Sequence, residues 1–111
     1  MTSGELEKVF EDTVKELSKL LNAGQQEYAH RKENVFANFE RVGERLGLDR
    51  KQVLMVYAEK HLDGVHSFIK GHKSQRESVS GRIHDLIVYM ILLKGMCIQD
   101  SMKQLHKPLE E

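Results

Sequence analysis

The chain has 111 residues, and its 17 basic and 17 acidic residues cancel. That length makes one domain rather than two, and balanced charge removes any general attraction to long nucleic acid or to an anionic membrane surface. A single cysteine excludes an internal disulfide, which suits a reducing cytoplasm, while the longest unbroken apolar run, Leu86 to Leu93, is too short to span a bilayer.

One proline, no tryptophan and many Glu, Lys, Leu and Gln favour an all-α chain. No N-terminal segment has the charged start and apolar centre of a signal peptide. The first helix is predicted over 2–22. Thr2 and Glu5 have capping-box spacing, and Leu6, Val9, Phe10, Thr13, Leu17, Leu20 and Leu21 share one face. A second helix is predicted over 25–46, stopped by Gly47. Tyr28, Lys32, Val35, Phe39, Val42 and Leu46 form its stripe, with Glu27, Arg31, Asn34 and Asn38 alongside. Glu33, Glu40 and Glu44 fall opposite, toward water.

Asp49 and Gln52 form another capping box and open a third helix that runs to Lys70. Its inner face is Leu54, Ala58, Leu62, Val65 and Ile69, with Tyr57 and Phe68 at the edge. The spacing of Ser74 and Glu77 predicts a further capping box and a final helix from Gln75 to Lys107, ended by Pro108. Its middle is apolar on nearly every side, so other helices must wrap it. Ser78, Arg82, Asp85 and Tyr89 form a polar stripe at its start. Gly43, Gly64, Gly81 and Gly95 sit inside predicted helices, where each is unfavourable by about 1 kcal/mol relative to Ala. Such glycines mark close helix crossings or an approaching ligand.

The chemistry-bearing residues are few. Glu77 and Asp85 are the metal candidates, but two helical turns separate them, so one ion could not bind both without help. His61 falls on the inner face, as a core histidine or a pocket residue. His61 and His66 lie about 140° apart on their helix, and Cys97 has no partner in sequence, which argues against a transition-metal site. No serine-hydrolase elbow, phosphate loop or Cys–His pair is present. Lys70, His72, Lys73, Arg76 and Arg82 gather where the third helix meets the N-terminus of the last, a combination that suits a phosphate.

The strings EYAHRKENVFANFERVGERLGL, VYAEKHLDGVHSFIKG and RESVSGRIHDLIVYMILL resemble a phage and prophage family, nucleotide modification associated domain 1. The resemblance covers most of the chain after Gln26. It implies a small helical domain serving phage nucleotide metabolism or modification, distantly similar to the MazG-like all-α pyrophosphohydrolases. The matching positions are Tyr28, Asn34, Asn38 and Phe39, then Lys60, His61 and Asp63, then Glu77, Arg82, Asp85 and Tyr89. Gly81 stands where the resemblance implies an acidic residue, which weakens a metal-hydrolase reading.

These readings together predict one all-α domain over 1–111, with the family-like helical core over 25–107. The expected architecture is a four-helix bundle with a buried central C-terminal helix, covered with help from a second subunit in a homo-oligomer. The expected function is binding of a small nucleotide in the cytoplasm of an infected bacterium, in phage nucleotide metabolism or counter-defence. Tyr28, Asn38, Lys60, His61, Arg76, Arg82, Asp85 and Tyr89 would form the site: phosphates on Arg76 and Arg82, the base on Tyr89 or Tyr28, and its edge read by Asn38 and Asp85. No cofactor is expected. One alternative is a non-catalytic sponge for a host cyclic-nucleotide immune signal. The other is a magnesium-dependent nucleoside triphosphate pyrophosphohydrolase using Glu77 and Asp85.

Overall fold

A computed structural model of the protein describes residues 1–24, 33–73 and 76–105. They form four helices: α1 (Ser3–Gly24), α2 (Ala37–Leu46), α3 (Arg50–Ile69) and α4 (Val79–Leu105). No strand occurs among the described residues. Helices pack in the pairs α3–α4, α2–α3 and α1–α4. The core is Phe36, Phe39, Val53, Leu54 and Met96, where α2 and the turn before it meet α3 and α4.

Several ends follow local chemistry. Thr2 N–H donates to Glu5 Oε2 at 2.9 Å and Glu5 N–H donates to Thr2 Oγ1 at 3.1 Å, so the first capping box forms. The Asp49–Gln52 box also forms. Gly47 ends α2 at φ 69°, a left-handed conformation with little cost for glycine.

Two predicted boundaries fail. The second helix begins only at Ala37, so Asn34 and Val35 are not helical. Asn34 explains this: its Oδ1 accepts from Phe36 N–H at 3.1 Å, and its Nδ2 donates to Glu40 Oε1 at 2.8 Å. That side chain turns the backbone instead of continuing a helix. Tyr28, Arg31, Lys32, Ser74 and Gln75 lie outside the described residues, as does the tail after Leu105. The last helix begins at Val79, with Glu77 in a bend before it. Ser78 is the cap: its hydroxyl accepts from Gly81 N–H at 3.0 Å and its carbonyl from Arg82 N–H at 3.1 Å. Glu77 is therefore not a capping-box residue of α4.

Glu40 does not face water alone. Arg50, only 9% exposed, donates from Nη1 to Glu40 Oε2 at 2.9 Å and to Gln99 Oε1 at 2.7 Å. Its Nη2 donates to Asp100 Oδ1 at 2.8 Å and to the Met96 carbonyl at 3.4 Å. Phe36 lies under the guanidinium, 5.0 Å from ring centroid to Cζ. Lys51 Nζ adds a bond to Asp100 Oδ2 at 2.6 Å. One arginine thus clamps α2, α3 and α4 at a single corner.

The pairing of Arg50 with Met96, His61 with Asp85 and Gly64 with Arg82 shows that α3 and α4 run antiparallel. Gly95 permits the close seating of Phe36, just before α2, on α4, since a Cβ there would stand 3.1 Å from Phe36 Cζ. In the single chain α4 is only half covered. Met96 is fully buried, whereas Met90, Ile91, Ile98 and Met102 are exposed. Ile69, expected on the inner face of α3, is its last residue and is 72% exposed.

Candidate functional site

The Arg50 clamp fixes one end of the α3–α4 pair. His61 lies eleven residues further along α3, about 16 Å away at helical rise. Leu54, Tyr57, Phe39 and Tyr89 fill much of the space between. Tyr89 meets Phe39 edge-on at 6.4 Å and lies tilted against the His61 imidazole at 5.7 Å, centroid to centroid. The imidazole is thereby held against α4, with a side chain only 12% exposed.

Two carboxylates face it. Glu77 Oε2 lies 3.5 Å from His61 Nδ1, and Asp85 Oδ2 lies 3.7 Å from Nε2. Both contacts are longer than an N–H···O hydrogen bond. The cap at Ser78 makes the approach of Glu77 feasible: ahead of the helix, Glu77 is not bound to the helical spacing that would hold it two turns from Asp85. His61, from α3, stands between these two carboxylates.

Arg82 lies one turn before Asp85, yet among the described residues the two make no ion pair. Instead the Arg82 side chain runs across the backbone of Gly64, where any Cβ would collide with its Cδ, Nε and Cζ. Close crossing therefore explains Gly64. Arg82 Nε and His61 Nδ1 are the buried side-chain polar atoms with no hydrogen-bond partner among the described residues. Each such atom costs about 1–3 kcal/mol of desolvation.

Among the predicted site residues, the fold brings together His61, Asp85 and Tyr89, with Arg82 beside Gly64 one turn of α3 beyond His61. Glu77 joins them. Lys60 and Arg76 neighbour cluster members in sequence and are exposed. Asn38 is half-buried on α2, and no hydrogen bond between described residues joins it to the cluster. Tyr28 lies outside the described residues. The His61–Glu77 approach escaped sequence reasoning because a local cap, Ser78, displaced the predicted one. Arg50 was also missed. Its signal was a local irregularity: Arg50 and Lys51 stand in the first turn of α3, which contains no acid, although a helix N-terminus favours acids.

The charges of the clamp stabilise one another. Hydrogen bonds from the Lys51 ammonium, and then from Arg50, hold the Asp100 carboxyl below its ordinary range. The Lys51 backbone N–H and then its ammonium do the same for Asp49. Asp100 and then Asp49 raise Lys51 in return. Satisfied, mutually stabilised charges suit a structural clamp, while the His61 end has buried groups without partners. Compared with protein-family models, curated proteins and solved structures, the chain matches none.

Proposed function

We propose that this protein binds a small nucleotide at the His61–Arg82 end of the α3–α4 pair. The observation that carries the reading is the pair of buried unpartnered atoms, His61 Nδ1 and Arg82 Nε, beside two carboxylates and an aromatic wall. Buried polar atoms without partners concentrate where a ligand or ordered water completes them. Arg82, with exposed Arg76 and Lys60, offers phosphates a cationic approach. Asp85 accepts from a base amino group, and Tyr89 walls the site. The resemblance to nucleotide modification associated domain 1 points the same way, toward phage nucleotide metabolism or counter-defence inside an infected bacterium.

The convergence of Glu77 and Asp85 favours a second reading, a metal-dependent pyrophosphohydrolase. Incubation with nucleotide mixtures, with and without magnesium, followed by recovery of the bound and released species, separates the two. Intact bound nucleotide supports the binder, and retention of a host cyclic nucleotide against competing mononucleotides marks a sponge. Pyrophosphate release marks the enzyme. Failure to retain or turn over any nucleotide removes both readings.

We also propose that the protein is a homodimer, built on the apolar faces of α1 and α4. Leu6, Val9, Phe10 and Val14 are 43–67% exposed on α1. The chain's accessible surface is 8816 Å², against about 6,300 Å² for a compact monomer of this mass. A dimer interface of standard size takes about 800 Å² per partner. A second copy fits because the same chain supplies both faces.

A further inference from the structure

Hydrogen bonding does not account for the spacing within the His61, Glu77 and Asp85 cluster. A protonated imidazole between two carboxylates would draw them in to about 2.8 Å, yet the separations are 3.5 and 3.7 Å and Nδ1 has no hydrogen bond. Donor atoms from all three residues lie within 4.8 Å of one another. In a tetrahedral metal site with bonds of about 2.1 Å, neighbouring ligand atoms stand about 3.4 Å apart. The His61–Glu77 pair already has that spacing. Asp85 Oδ2 stands nearest the other ring nitrogen, Nε2, and with side chains 51% and 35% exposed Glu77 and Asp85 have room to turn toward an ion on Nδ1. The imidazole is the fixed member, held by Tyr89.

We propose that His61, Glu77 and Asp85 hold a divalent first-row transition-metal ion, Mn²⁺ or Zn²⁺, at the α3–α4 junction. One imidazole with two carboxylates favours such an ion over magnesium, which prefers an all-oxygen octahedron. Three protein ligands on a solvent-facing edge leave a coordination position for water or an anionic oxygen. Sequence spacing weighs against a transition-metal site because it looks for a second histidine or a cysteine; here the other ligands are acids from a different element. The inference stands without the nucleotide reading, because the ligands are the protein's own.

EDTA-treated protein is titrated with MnCl2, ZnCl2 and MgCl2 by calorimetry, with nucleotide absent throughout, and the manganese form is examined by pulsed electron paramagnetic resonance. Mn²⁺ or Zn²⁺ is expected to bind as one ion per chain, at least about tenfold tighter than Mg²⁺. Nitrogen-14 modulation from a coordinated imidazole should appear and be lost in His61→Gln. Glu77→Gln changes an exposed side chain and should keep the circular dichroism spectrum while weakening the ion at least about tenfold. It tests the site even if His61→Gln does not fold. The proposal is overturned by no saturable binding of Mn²⁺ or Zn²⁺ below about 1 mM, by unchanged affinity in Glu77→Gln, or by nitrogen modulation that survives in folded His61→Gln. A failure of nucleotide binding leaves these readings unaffected.

Discussion

Arg82 and Asp85 are one turn apart on α4, close enough to pair, and they do not. Asp85 turns toward His61, and Arg82 lies over Gly64. Removing Asp85 therefore strands no buried guanidinium, and the roughly 3–5 kcal/mol loss of a broken buried pair should not occur. Asp85→Asn is expected to stay within about 1 kcal/mol of the parent in urea denaturation, while nucleotide affinity falls. A stability loss with unchanged affinity would assign Asp85 to the fold. Gly64→Ala tests Arg82 without altering it. The new methyl must push the Arg82 side chain aside, and a helical Ala is favoured over Gly by about 1 kcal/mol. The expected outcome is a folded protein of near-parental stability with weakened nucleotide binding; undiminished affinity would place Arg82 outside the site.

At the level of elements, the Arg50 clamp sets how α2, α3 and α4 meet, and so sets the α3–α4 register that brings Asp85 to His61. Arg50→Met keeps much of the side-chain volume but forfeits the bonds to Glu40, Gln99, Asp100 and the Met96 carbonyl. A loss of about 1–3 kcal/mol is expected by chemical denaturation, and an unchanged midpoint would refute the clamp. Its contribution depends on pH in a defined direction. Asp100 and Asp49 have folded pKa values below the unfolded ones, so their stabilisation is present above the unfolded carboxyl value and is lost as pH falls through the folded value. Lys51 is raised, so its stabilisation is present below the unfolded lysine value and is lost as pH climbs through the folded one. The window runs from about pH 4 to pH 10. The Tm difference between the parent and Asp100→Asn should be greatest inside it and close toward more acidic pH. A difference that persists unchanged into acid would mean that charge is not what binds the corner.

The whole molecule is longer than its chain length requires. Its radius of gyration is 17.0 Å and its largest dimension 58 Å, whereas a compact chain of this length has a radius of about 13 Å. The helix α1 packs on α4 and, among the described helices, on no other. Its half-buried residues, Thr13, Leu17, Leu20 and Leu21, lie toward its C-terminal half, while Leu6, Val9, Phe10 and Val14 face outward nearer the start. Multi-angle light scattering at micromolar concentration should give twice the chain mass. Phe10→Glu places a charge in that face and should yield a helical monomer. A parent protein that is monomeric and fully helical would dispose of the dimer.

The sequence alone determined the helical class, because capping chemistry and apolar periodicity are local. The Thr2–Glu5 and Asp49–Gln52 boxes and the Gly47 stop all form where their residues stand. It also read Arg82, Asp85 and Tyr89 as one stripe of α4, and it named them with His61 among eight site residues through the family resemblance. Local chemistry one turn further on misled it: Ser78 caps α4, so Glu77 precedes the helix instead of lying within it. Asn34 likewise used its side chain to turn the chain where a helix was expected. Only the tertiary structure decided that Glu77 and Asp85 converge on His61, and that Arg50, at an unfavourable helix position, is buried among acids from other helices. Both depend on the antiparallel register of α3 and α4. That register is set between residues far apart in the chain, where Arg82 crosses Gly64 and Arg50 reaches the Met96 carbonyl, which no local pattern encodes.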